Sequence, residues 1–218
     1  MQARAVRRDL VLLHAKAKNV PADKQGQFGY GDIWTWTAIC ADTKLAVSWL
    51  VGTRDAGAAH SFMQDVASRL RYRIQLTTDG HRPYLNAVED AFGADIDYAV
   101  LQKIYGAEPG NETRYSPAVC LGCEIKEIAG NPDPKHISTS YVERQNLTMR
   151  MHMRRFTRLT NAFSKKVDNH AHNVALHFMY YNFGKIHQTL RVTPAMEAGV
   201  SDHVWSVEEI VSLLNQPD

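Results

Sequence analysis

The sequence predicts an α/β fold built on a central mixed sheet, and three observations carry that prediction. Short runs rich in β-branched and aromatic residues alternate with amphipathic stretches through the first hundred residues. Several of these runs end in Asp, Gly or Pro turn signals. From Ser140 onward the apolar spacing is helical. The predicted order is three strands, a helix, a strand, a helix, a strand, and then helices, which is an α/β plan rather than an all-helical or all-strand one.

Residues 8–15 (Arg-Asp-Leu-Val-Leu-Leu-His-Ala) form a short apolar run of strand length. A polar, glycine-bearing connection, residues 19–31, leads to residues 33–40 (Ile-Trp-Thr-Trp-Thr-Ala-Ile-Cys), which alternate and are β-branched and aromatic. The turn Ala41-Asp42-Thr43-Lys44 joins them to a strand over 45–51, making a hairpin. Arg54-Asp55 opens a helix to about Leu70, with Ala59, Phe62, Met63, Val66 and Leu70 on one face. A strand over 74–78 ends at Asp79-Gly80, Pro83 starts a helix to about Phe92, and 98–105 is a further strand. Residues 106–137 contain Pro109, Pro117, Pro132 and Pro134 and are expected to be an irregular insertion. Beyond them the spacing predicts two long helices to about Phe183 and a short helix over 207–214.

Composition narrows the class without naming a partner. At 218 residues and 44% hydrophobic content the chain can bury one sizeable core, and a single domain spanning 1–218 is expected. No stretch approaches the roughly 18 consecutive apolar residues of a membrane span. Three cysteines, an odd number, argue against a disulfide framework. These features point to a cytoplasmic chain. The formal net charge is only +2, yet residues 141–166 carry seven basic residues against the single acid Glu143. That segment stands at +6, which leaves −4 for the rest of the chain.

Two carboxylates stand out. Asp79 lies where a strand runs into Gly80, at the C-terminal sheet edge where α/β folds place ligands. An Asp-Gly pair is also a common turn former. Glu143 follows Ser138-Thr139-Ser140 at a helix start, and Ser140-Tyr-Val-Glu143 matches a capping box. A capping role and a metal-binding role compete for the same oxygens. After Glu143, the residues Arg144, Arg150, Arg154, Arg158, Lys165 and Lys166 suit phosphate contacts, and equally suit a solvated basic face. Val142, Met149, Met153 and Phe156 form the apolar stripe of the same segment. Cys120-Leu-Gly-Cys123 is half of a zinc site with no second pair. His170, His172 and His177 are as suited to packing as to ligation. Gly26, Gly29 and Gly31 form no phosphate loop, since no Lys-Ser/Thr follows.

The chain resembles the transposases of the bacterial insertion-sequence-one family, in the DDE superfamily with a ribonuclease-H-like core. The residues that carry the resemblance are Thr77-Thr78-Asp79-Gly80, Tyr141-Val-Glu143-Arg144-Gln145-Asn146-Leu147 running into Arg150, and Phe163-Ser164-Lys165-Lys166. Tyr181-Asn182, His187-Gln188-Thr189-Leu190 and Thr193-Pro194 are similar to the tail of integrase-type cores. The resemblance implies a ribonuclease-H-like mixed sheet flanked by helices, with a helical C-terminal part. It implies cleavage and transfer of DNA strands, with Asp79 as the second catalytic Asp and Glu143 as the catalytic Glu. Three carboxylates would hold two Mg²⁺ ions, or Mn²⁺ in their place, for in-line phosphoryl displacement. The implied partners are double-stranded DNA, as element ends and target, and further copies of the chain on DNA; no membrane is implied.

The first Asp departs from the family pattern. Strand count argues against Asp32, since starting strand one there leaves only one more strand before the first helix, and the open alternatives are Asp9, Asp32 or a lost first Asp. Strand one is therefore 8–15, where the family pattern resembles Asp-Glu-Ile-Trp-Ser-Phe and this chain reads Arg7-Arg8-Asp9-Leu10-Val11-Leu12. By register the expected Asp falls at Arg7, and Asp9, two residues on, is the candidate that shares its side of the pleat. Read one nucleotide out of frame, codons for the family pattern give nearly this segment, so a frame-shifted or truncated start is expected, with no room for an N-terminal DNA-binding module. Three functions follow: an impaired transposase core, a non-catalytic DNA-binding remnant, or a nuclease acting on hybrids. The tail motifs disfavour the last.

Overall fold

The structure, a computed structural model, describes residues 3–13, 19–106, 119–156 and 164–215, with no side-chain description for most of 3–13. Six strands form one sheet: β1 (Ala3–Leu13), β2 (Gly31–Cys40), β3 (Ala46–Gly52), β4 (Ile74–Thr78), β5 (Ile96–Gly106) and β6 (Val119–Ala129). Their spatial order is β3-β2-β1-β4-β5-β6. β1, β2 and β3 run as an antiparallel meander, β1, β4 and β5 are parallel, and β6 returns antiparallel to β5. The fold is thus a mixed α/β sheet flanked by helices, as the order of elements predicts.

Helices α1 (Ala56–Ser68) and α2 (Pro83–Phe92) cross over between the parallel strands. Asp55 caps α1 by accepting from the Ala58 N–H, and Pro83 opens α2, where its missing donor costs nothing. The period-2 pleat divides the strands between two cores. Val6, Trp36, Leu76, Tyr98 and Val100 face α1 and α2, where they meet Phe62, Met63, Val66, Tyr84 and Val88. Val11 faces the opposite side and packs on α3 (Ser140–His152) and α4 (Val167–Met179) through Met149, Met153, Val174 and Phe178. Two short helices, α5 (Pro194–Glu197) and α6 (Val207–Ser212), close the chain. No helix among the described residues is long and apolar enough to cross a membrane.

Three expectations change. Residues 106–137 are not irregular throughout, because 119–129 form β6. The prolines that break the segment lie outside that stretch, which leaves an uninterrupted β-forming run between Pro117 and Pro132. The first long helix ends at His152, where Met153 turns extended (φ −113°, ψ 104°). Met153 and Phe156 keep their core positions, but they do so through a change of backbone direction rather than a further helical turn. Strand one begins earlier than residue 8, at Ala3, since the ladder to β4 runs from Ala3 opposite Gln75 to Val6 opposite Thr78.

Candidate functional site: a basic cleft holding two carboxylates

β4 ends at Thr78 while β1 runs on beside it, so the chain leaving β4 opens a cleft at the carboxyl end of the parallel strands. The cleft measures about 490 Å³ and is lined by Asp79 and Glu143 together with Arg8, Arg54, Arg82 and Lys103. Asp79 reaches it directly from the strand end. Glu143 reaches it from the first turn of α3, whose start is placed by Val142 packing on Ile39.

Each carboxylate is held. Arg8 Nη2 donates to both oxygens of Asp79, at 3.2 and 3.3 Å. The Arg8 side chain is only 5% exposed. Its guanidinium lies over three rings, 5.1 Å from Trp36, 5.4 Å from Tyr84 and 5.9 Å from Trp34, an arrangement that favours a desolvated cation. Asp79 Oδ1 also accepts from the His81 backbone N–H, so the local Asp-Gly turn chemistry and the cleft position coexist. His81 is pushed down to about 4, chiefly by burial and then by the neighbouring Arg8, so its ring is neutral at pH 7. Complete burial, with Asp79 nearby, drives the Tyr84 hydroxyl well above its ordinary value.

Glu143 is not a capping-box residue. The helix caps at Thr139, one position before Ser140, so Glu143 falls at the fourth helical position and cannot reach back to the cap amide. Its Oε1 accepts from Thr139 Oγ1 at 2.8 Å and its Oε2 from Lys103 Nζ at 2.6 Å. Lys103 comes from β5, on the face that α3 covers.

The remaining predicted residues are dispersed. Asp9 lies in β1 opposite Thr35, and its side chain lies outside the described residues, as does that of Arg7. Asp32 belongs to β2, opposite Leu12, and is exposed. Arg144 and Arg150 are exposed on α3, while Arg154 sits in the tight turn after the helix and so leaves the face that continued helix would give it. Lys165 and Lys166 are exposed at the start of α4, and Arg158 lies outside the described residues. Sequence reasoning missed Arg8, Arg54, Arg82 and Lys103. Arg8 enters the sequence reading only as a departure from a family pattern, and nothing local marks Lys103, whose role depends on where α3 meets β5.

Two hard carboxylates in one cleft are right in kind for Mg²⁺. Their surroundings are not. Arg8 spans both oxygens of Asp79, and Lys103 and Thr139 take one oxygen each of Glu143. Among the described residues no three His, Cys, Asp or Glu side chains come together as metal ligands. The described residues therefore supply two carboxylates, each already held by a cation, and the side chain of Asp9, the third candidate ligand, lies outside them. The half zinc site resolves differently. A bulge opposite Ile104 and Tyr105 pairs Cys123 with Lys103 and Cys120 with Tyr105, which puts both thiols on one side of β6, exposed and free. His170 and His177 are buried against aromatic rings.

No family model matches this chain, and no curated protein matches it. Among solved structures it is similar to the piggyBac transposase in a synaptic complex with hairpin DNA, with a TM-score of 0.30 and 12% identity. The similarity covers 53% of this chain and 26% of that one, so the chain spans about a quarter of the protein it is compared with.

Proposed function

We propose that this chain is the core of a DNA transposase of the insertion-sequence-one type, gripping the DNA backbone in the cleft beside Asp79 and Glu143, in a copy whose strand chemistry is impaired. The observation that carries the reading is the meeting of two sequence-distant carboxylates in a cleft lined by Arg8, Arg54, Arg82 and Lys103. The motif resemblance supplies the reaction class, and the two ion pairs supply the impairment. A guanidinium spanning both oxygens of Asp79 and an ammonium on Glu143 compete with a divalent cation for the same two carboxylates.

The chain's own groups act by binding and orientation. Arg54 and Arg82 offer their donors to phosphate oxygens, and Lys103 adds a point charge beside them. The neutral His81 adds no charge of its own and offers a ring nitrogen to a sugar or phosphate. A second reading, a DNA-binding remnant with no strand chemistry, is favoured by the same ion pairs. Arg8→Ala separates the two.

The test is duplex binding and strand transfer measured side by side. Binding should weaken as salt rises, and Arg54→Ala or Arg82→Ala should each reduce the slope of log affinity against log salt by about one. Binding indifferent to salt rejects the DNA reading. In strand transfer with Mg²⁺ the unaltered chain should stay near background. Arg8→Ala should raise the activity, and Asp79→Ala or Glu143→Ala in that background should abolish it. Activity indifferent to both carboxylate substitutions rejects the site. No gain from Arg8→Ala turns the reading to the remnant.

A further inference from the structure

A second cleft lies on the other flank of α3. It measures about 500 Å³, and Lys44, Arg144, Lys185 and His187 all line it. No carboxylate lines it. Glu143 and Arg144 are successive residues of one helix, so a rotation of about 100° along the chain sends them to the two different clefts.

The four basic groups are brought together from the β2–β3 turn, α3 and the segment after α4. Lys44 sits in the β2–β3 turn at φ 60°, a left-handed conformation unusual for lysine. Its Nζ donates to Ala41 O within the turn and lies 4.1 Å from the Tyr141 ring centroid, which together hold the ammonium beside the cleft. Lys185 follows the wide helical turn over Tyr180–Gly184. His187 opens a tight turn closed by its own N–H donating to Val192 O and by Arg191 N–H donating back to His187 O. Thr189 Oγ1 lies 3.0 Å from His187 Nδ1, which orients the ring. His187 is pushed below its ordinary value by burial first and then by Lys44, Lys185 and Arg144. Burial likewise lowers Lys44, against a raising influence from exposed Asp42. Cations gathered in one cleft with no carboxylate among them gain most from a shared anion.

We infer that this cleft binds a phosphate group, and that the group is a backbone phosphate of a DNA strand held on the far side of α3 from Asp79. The charge and dimensions suit a single phosphodiester with its sugar, and the exposed Tyr141 and Ile186 give the sugar or base an apolar surface. That the phosphate comes from DNA rests on the transposase reading; affinity for phosphate does not.

The experiment follows the His187 C2 proton by NMR in the full chain. Inorganic phosphate should shift it saturably and raise the pH at which it titrates. Lys185→Gln and Lys44→Asn (asparagine tolerates the left-handed turn) should each weaken the phosphate response about tenfold, as loss of one charge-assisted contact implies. Arg54→Ala, in the other cleft, should leave it unchanged. A short DNA duplex should produce the same shift at far lower concentration. Absence of a saturable phosphate response, or an equal response in Lys185→Gln, overturns the site. A phosphate response with none to duplex overturns the backbone assignment alone.

Discussion

Arg8 decides the character of the carboxylate cleft. It is a buried cation with an anionic partner and three rings, and its partner Asp79 keeps 26% of its side chain exposed. Breaking a fully buried pair costs about 3–5 kcal/mol, and partial exposure of the acid reduces that. Arg8→Met, which retains the packing against the rings, should cost about 1–2 kcal/mol in urea unfolding. It should also let Asp79 accept a divalent cation, read as Mn²⁺ binding by calorimetry; a loss above about 4 kcal/mol with no Mn²⁺ binding would mark Arg8 as purely structural. The histidines set the acid limit. His170 and His177 are pushed to about 4 by burial, the first also by Arg155 and the second by His152 and Lys185. The unfolded chain, with ordinary histidines near 6.5, binds those protons first. Stability is therefore full above about pH 6.5 and falls as pH drops toward 4, by on the order of 3 kcal/mol per histidine. Unfolding midpoints at pH 7.5 and 4.5 check this, and His170→Leu should flatten the dependence. The placement of Asp79 at a strand end and of Glu143 at a helix start was legible in the sequence, because both are local signals. The cations that hold them were not, because Arg8 and Lys103 arrive from β1 and β5 through pairings no local pattern records.

At the scale of elements, the tail motif has a structural role that its resemblance to integrase tails does not specify. Asn182 Oδ1 accepts from the Ala46 N–H and its Nδ2 donates to Ala46 O, both at 3.0 Å, so one side chain satisfies the first residue of β3 as a neighbouring strand would. Tyr181 adds a hydroxyl bond to Lys44 O. Asn182→Ala leaves two buried backbone groups unpaired and should cost about 1–3 kcal/mol. Because the same contact fixes the strand after the Lys44 turn, the substitution should also weaken the phosphate response of His187; an unchanged response would separate the two. Strand and helix bounds in residues 31–92 follow from capping, proline and alternation. The break after His152 does not, since no Gly or Pro marks it and Met153 and Phe156 continue the helical apolar spacing. β6 was obscured by the prolines that flank it.

For the whole molecule, the charge partition seen in the sequence becomes spatial. The basic residues after Glu143 do not form one helical face; α3 stands between two clefts, each gathering cations from several elements. A duplex contacting both should show a salt slope that falls in steps: by about one for Arg54→Ala, by about one for Lys185→Gln and by about two for the double variant. A double variant no different from either single one would mean that one cleft alone meets DNA. The sheet carries a separate consequence. β1 lies inside the sheet between β2 and β4, and its parallel partner is separated from it in sequence by the hairpin and α1. Closing that long loop precedes the reward of pairing, so refolding should be slow relative to helical proteins of this length, with the β1–β4 ladder among the last to gain amide protection. The strand that brings Arg8 to the carboxylate cleft is thus also the one the fold waits for, so the cleft can be complete only once the slowest pairing has closed.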